Sequence, residues 1–142
     1  ATGCQIVLTG DSREVGLVEK LRDRMKHRAL SLAGRATFVE LAALLSLASV
    51  VVTNNTGPAH VAAAVKTPVV DLFALTNPPD QWRPWNVPSR LLNRSVPCAF
   101  CYSRMCPTDH SCLKGVPPSD VAAAAQELLM AYRGFDRGHL SA

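Results

Sequence analysis

Apolar residues fall along this chain in short β-branched runs separated by stripes at helical spacing. Cys4-Gln5-Ile6-Val7-Leu8-Thr9 looks like a core strand, with Cys4 an inert core residue and the apolar run at Ile6 to Thr9, and Gly10-Asp11-Ser12 then signals a turn and a helix start. Val15, Leu17, Val18, Leu21 and Met25 recur along one helix face, with Glu19, Lys20, Arg22, Arg24 and Lys26 on the other. Ala29 to Leu32 predicts a second strand and Ala33 to Ala36 a loop. Thr37, with Glu40 three residues on, predicts a capping box that opens a helix buried through Phe38, Leu41, Leu44 and Leu45. Val50 to Thr53 predicts a third strand, Pro58 to Val65 an alanine-rich helix, Pro68 to Phe73 a fourth strand and Arg90 to Asn93 a last short one. Pro117-Pro118-Ser119 starts a final helix that docks through Val121, Ala124, Ala125, Leu128, Leu129 and Tyr132.

Strands alternating with helices at this spacing predict an α/β fold: a parallel sheet, wound right-handedly, with ligand loops at the carboxyl ends of its strands. Gly10, Ala36, Thr56 and Thr76 fall at that edge. The pattern reads as one domain over residues 1–133 and a polar, fraying tail over 134–142. Within the domain, residues 74–118 change character. Pro78, Pro79, Pro84 and Pro88 exclude a helix or a central strand from 74–88 and predict a surface loop over the site. Trp82 and Trp85 either pack that loop down or flank a ligand, packing being the commoner fate of such rings.

Composition narrows the class. At 142 residues and 48% apolar, the chain can build a core without disulfides. Its longest apolar runs, Leu41 to Val52 and Val61 to Val70, fall short of the roughly 18 residues a membrane span needs, and the N-terminus lacks the basic flank of a signal peptide. The reading is cytosolic. A chain that opens without Met and passes at once into a strand reads as a domain excised from a longer protein. The net charge of +4 is spread over scattered Lys and Arg with no aromatic interleaving, which argues against nucleic acid and suits an anionic small molecule or an acidic membrane surface.

The candidate chemistry centres on Asn55-Thr56-Gly57-Pro58-Ala59-His60. Asn55 or Thr56 can cap the helix, Gly57 lets a ligand approach the backbone, and the first-turn N–H groups of Gly57, Ala59 and His60 face outward with the positive end of the helix dipole behind them. A phosphate suits such a turn. His60 lies one turn after Thr56, where a neutral imidazole donates a hydrogen bond without carrying charge. An ordinary capped helix with a surface histidine fits the same pattern and is the more common case. Gly10 leaves room at the end of the first strand, and Glu14 either reaches a ribose hydroxyl or merely complements the helix dipole. Cys98, Cys101, Cys106 and Cys112, with His110 in the last gap, can close around zinc or form a metal-free loop, with or without disulfides. Their x4 and x5 gaps do not repeat a clean knuckle and favour the loop.

With these residues in view, the chain resembles the C-terminal half of glycosyltransferase family 9, the heptosyltransferases that build the inner core of lipopolysaccharide. The resemblance covers nearly all of Ile6 to Tyr132. It rests on Gly10, on the loop and capped helix from Gly34 to Leu44, above all on Asn55 to His60, and on Pro68 to Phe73, Thr76 and Pro78. Cys98, Cys101, Arg104-Met105-Cys106-Pro107 and Cys112 are similar to the tail of the second heptosyltransferase branch.

The resemblance implies a GT-B enzyme of two Rossmann-like domains, each a parallel sheet with helices on both faces, with the sugar donor held mainly by the C-terminal one. It implies that Thr56, Gly57 and His60 hold a diphosphate, flanked by Asn55 and Ala59. Glu14, beside Gly10 and with Asp11 as a competitor, would take the ribose, and the backbone at Ala36 the adenine edge. The family usually has Asp where this chain has Asn55; an amide still caps a helix and repels a diphosphate less. The implied donor is a nucleoside-diphosphate sugar, ADP-heptose, with no cofactor or metal required. The acceptor is a lipid-linked saccharide at the membrane surface, and the protein is cytoplasmic, peripheral to the inner membrane. The general base and acceptor pocket belong to the N-terminal domain, so this chain alone should bind donor and turn nothing over. Gly57 and His60 would stabilise the leaving diphosphate. Two rival readings stay open: a non-catalytic module with a zinc knuckle at Cys98 to Cys112, and a transferase or epimerase that uses a uridine nucleotide.

Overall fold

A computed structural model describes residues 3–106 and 108–133; the predicted tail at 134–142 and Pro107 lie outside the described residues. Strands and helices alternate in the order β1 (Ile6–Leu8), α1 (Val15–Asp23), β2 (Ala29–Ser31), α2 (Phe38–Ser46), β3 (Val51–Asn54), α3 (Gly57–Ala64), β4 (Val69–Leu72), α4 (Pro79–Trp82), β5 (Ser89–Leu92), α5 (Ser111–Lys114) and α6 (Pro118–Arg133). Every strand pair is parallel. The chain divides into two compact units, residues up to 43 and residues from 44 onward.

In the first unit β1 pairs with β2, Ile6 opposite Ala29 and Leu8 opposite Ser31. Val18 is the buried member of the α1 stripe, whereas Val15, Leu17 and Leu21 are exposed. A pair of three-residue strands is too narrow to cover a whole helix face, so the expected docking of the full stripe does not occur within this unit. Cys4 lies exposed ahead of β1 and is not a core residue. Gly34 has φ of +68°, and a Cβ there would stand 2.9 Å from a Val15 methyl, so no other residue fits without movement. Its N–H donates to the Gly10 carbonyl at 2.9 Å, which ties the β2–α2 loop to the end of β1. The capping box forms as predicted: the Thr37 N–H donates to Glu40 Oε2 at 2.7 Å, and the Glu40 N–H donates to Thr37 Oγ1 at 3.3 Å. Phe38, expected on the buried side of α2, is exposed, while Leu45 at the other end is buried.

The second unit is built on the sheet β3-β4-β5, with β4 in the middle. Val70 of β4 is fully buried with Ala124 and Leu128 of α6, and Val50, Leu92, Val121 and Ala125 close around them, so α6 docks through the predicted stripe. Asp71, one residue on, faces the opposite side of the sheet. There α3 packs on β3 and β4 through Ala59, Ala62 and Ala63, whose small side chains let helix and sheet come close. α3 ends in a Schellman arrangement: Thr67 N–H donates to the Ala62 carbonyl at 2.9 Å, Lys66 N–H to the Ala63 carbonyl at 3.1 Å, and Lys66 takes φ of 65°. The Thr67 hydroxyl, buried, donates to the Leu45 carbonyl at 2.7 Å. The proline-rich segment predicted as loop contains one helical turn, α4, with Pro79 in its first turn, where the missing N–H costs nothing. Beyond β5, Arg94 reaches the Gly115 carbonyl at 2.9 Å and Asp120 at 2.8 Å, fastening the cysteine-rich segment to the start of α6.

Candidate functional site

The β3–α3 turn stands at the carboxyl end of the sheet because the ladder runs on past β3: the Asn55 N–H donates to the Leu72 carbonyl at 3.2 Å. Thr56 is the N-cap residue, extended at φ −145° and ψ −177°, but no side chain caps α3. The Thr56 hydroxyl turns back to the Asn54 carbonyl at 3.3 Å. The side-chain amide of Asn55 is spent elsewhere, on Asp71 Oδ2 at 3.3 Å and on the Trp82 carbonyl at 3.1 Å. The capping predicted for either residue therefore does not form. Its consequence is an open helix start, which is what an incoming anion needs.

Thr56, Gly57 and His60 are all exposed on this start, and a Cβ placed on Gly57 would meet nothing within 4 Å. The side of the Gly57 backbone that a Cβ would occupy is therefore open to a ligand. Ala59 differs from expectation: it is fully buried, and its N–H already donates to the Thr56 carbonyl at 3.0 Å, so it supports the turn from behind. The His60 imidazole stands edge-on to the Trp82 ring, 6.4 Å between centroids. Trp82 is half exposed against that histidine, whereas Trp85, expected to pack, is 81% exposed.

Beneath the turn lies a residue that sequence reasoning passed over. Asp71 is fully buried in the middle strand, opposite Thr53 on β3 and Leu91 on β5. Burial pushes its carboxyl pKa up, opposed by the Asn55 hydrogen bond and by the positive charge available at His60. Its Oδ1 has no hydrogen-bond partner among the described residues. The signal was present: a lone acid inside a run read as a buried strand demands a partner, and Asn55 is the partner the structure supplies.

Gly10, Glu14 and Ala36 belong to the first unit and the residues 55–60 to the second. A Cβ on Gly10 would meet the Glu14 side chain at 3.1 Å. Glu14 Oε2 accepts the Asp11 N–H at 2.8 Å, closing the β1–α1 turn, and Asp11 is paired with Arg13, which holds its carboxyl below the usual range. Ala36 is exposed in the loop before the capping box.

In the cysteine-rich segment the Thr108 hydroxyl lies 3.5 Å from the Cys98 sulfur and 3.9 Å from that of Cys106. The N–H groups of Thr108 and His110 lower the Cys106 thiol pKa, the latter donating at 2.9 Å. Cys98, Cys101, Cys106 and Cys112 carry no disulfide, and among the described residues no group of three or more His, Cys, Asp or Glu side chains is placed to share a metal ion. No helix among the described residues is long and apolar enough to cross a membrane.

Residues 1–111 match the family described as glycosyltransferase family 9 (heptosyltransferase). A lipopolysaccharide heptosyltransferase 3 of Escherichia coli is 33% identical over 138 residues, covering 91% of this chain and 38% of its own length. The glycosyl transferase family 9 structure from Veillonella parvula superimposes with a TM-score of 0.81 at 21% identity, over 91% of this chain and 37% of that one. The E. coli ADP-heptose LPS heptosyltransferase II does so with 0.77 at 23% identity, over 92% and 38%. At these identities the two structures speak for the shared fold. This chain thus spans under two fifths of the length of these relatives.

Proposed function

The chain belongs to glycosyltransferase family 9, and on that premise we propose that it is the donor-binding half of a glycosyltransferase of lipopolysaccharide core assembly, with ADP-heptose as donor. The observation that carries the reading is the exposed start of α3 without a side-chain cap, with open space where a Gly57 Cβ would stand and an exposed His60 one turn after Thr56. A diphosphate placed there takes the Gly57 N–H, the positive end of the helix and one hydrogen bond from the His60 imidazole.

In the proposed reaction an acceptor hydroxyl attacks the anomeric carbon and the nucleoside diphosphate leaves. Negative charge grows on the leaving diphosphate as the glycosidic bond breaks, so donors already aimed at it stabilise the transition state more than the ground state. The base that takes the acceptor's proton and the pocket for a lipid-linked saccharide are assigned to the remainder of the protein, with the acceptor at the membrane surface. The names of the relatives support the heptose and the lipopolysaccharide in this reading; the turn supports the diphosphate.

Calorimetric titration of the protein at its full natural length with ADP and with UDP tests the proposal. ADP is expected to bind, and to bind equally well in EDTA, since the grip comes from main-chain N–H groups; UDP is expected to bind at least about tenfold more weakly. A preference for UDP would hand the turn to a uridine-nucleotide enzyme, and no binding of either would sink the donor reading.

A further inference from the structure

The proposed reaction gives Asp71 no task, yet a fully buried carboxyl in the central strand with one oxygen unpartnered among the described residues is costly to keep. Its one hydrogen-bond partner among the described residues is the Asn55 amide, at 3.3 Å from Oδ2. The same nitrogen donates to the Trp82 carbonyl at 3.1 Å, 27 residues away in the chain. The orientation of that amide is not arbitrary: the Trp82 carbonyl can only accept, so the NH2 end must face it. With both its hydrogens committed, Asn55 has no donor left for another role. The segment it grips is one helical turn closed on itself by Gln81 N–H to Pro78 and Arg83 N–H to Pro79, and its tryptophan ring stands edge-on to His60.

We infer that Asp71 is a positioning residue of the diphosphate turn: it holds the Asn55 amide in the orientation that clasps the Trp82 carbonyl, and so seats α4 and the Trp82 ring against His60. The inference rests on the reading of that turn as the donor site. It makes Asp71 the root of a three-segment brace running from β4 through the β3–α3 turn to α4. What the brace sets is where His60 stands when the donor arrives.

Three substitutions in the full-length protein separate this role from a general contribution to packing. Asp71→Asn keeps an oxygen where the Asn55 amide can donate; Asp71→Ala removes it; Asn55→Ala, at a half-buried position, removes both bonds. Amide hydrogen exchange at Gln81 and Arg83 and the dissociation constant for ADP are measured for each, with circular dichroism to show that each is folded. Asp71→Ala and Asn55→Ala are expected to speed exchange at both amides and to weaken ADP, each by about tenfold, whereas Asp71→Asn stays within about twofold of the parent in both. Should Asp71→Ala not fold, Asn55→Ala carries the comparison. Unchanged exchange and affinity in the alanine variants overturns the inference, as does an Asp71→Asn protein as impaired as Asp71→Ala. A parent protein that binds no ADP would defeat the donor reading instead, and the exchange data would still decide whether the brace exists.

Discussion

At the scale of single residues, the turn was legible and its support was not. Gly57 and His60 stand where helix-end chemistry puts them, exposed and without a side-chain cap, because Pro58 fixes φ in the first helical turn and Gly57 adds no side chain to cover it. Neither Asn55 nor Thr56, the two candidate caps, caps α3 with its side chain. The Asn55 amide finds its partner 16 residues on in β4, and no local rule points across a sheet. Two outcomes follow at this scale. Gly57→Asp fills the open space beside the Gly57 backbone with a like charge and is expected to weaken ADP by about a hundredfold in calorimetry; wild-type affinity in that variant would count against the turn. Asp71 titrates above its ordinary value of 3.8, so the folded state holds its proton more tightly than the unfolded chain does. Stability from that proton is fully present below the unfolded value and is lost as pH rises through the folded one. Thermal melts should therefore show Asp71→Asn gaining on the parent as pH rises above the ordinary value of 3.8, with no such divergence if the carboxyl titrates normally. Asp11, Glu40 and Asp109, whose carboxyls are held low, are common to both proteins and drop out of the difference.

At the scale of elements, the β-α alternation was legible because two periodicities write it, and boundaries moved by only a residue or two: β3 is Val51–Asn54 against an expected Val50 to Thr53. What periodicity does not reveal is how much of an apolar stripe finds a partner. α1 and the start of α2 leave Leu17 and Phe38 exposed within their unit, although both fit the stripe. Proline does not exclude every helix from 74–88, since Pro79 opens α4 in the first helical turn, where a missing N–H is tolerated. Local devices make separate predictions. Thr37→Ala breaks the capping box of α2 and should cost about 1 kcal/mol in urea denaturation; a loss under a few tenths would mean that α2 is held by other contacts. Lys66 sits in the left-handed region at the end of α3, so Lys66→Gly should stabilise by about 1 kcal/mol, seen as a rise of several degrees in Tm, unless the lysine stem contributes packing of its own.

At the scale of the whole molecule, family membership and fold agree: relatives and solved structures that match this chain over nine tenths of its length are named as heptosyltransferases or family 9 glycosyltransferases. The physical account underneath is narrower. Two parallel β-α units bring a bare helix start to the end of a central sheet, and a buried acid braces the segment beside it. Everything proposed about sugar transfer hangs on whether that helix start grips a diphosphate. The most direct measurement is a crystal structure of the full-length protein with ADP bound. The account predicts diphosphate oxygens within about 3 Å of the Gly57 N–H and of the His60 ring, with the Asn55 clasp on Trp82 intact. A diphosphate held anywhere else, with the start of α3 left to water, would contradict it.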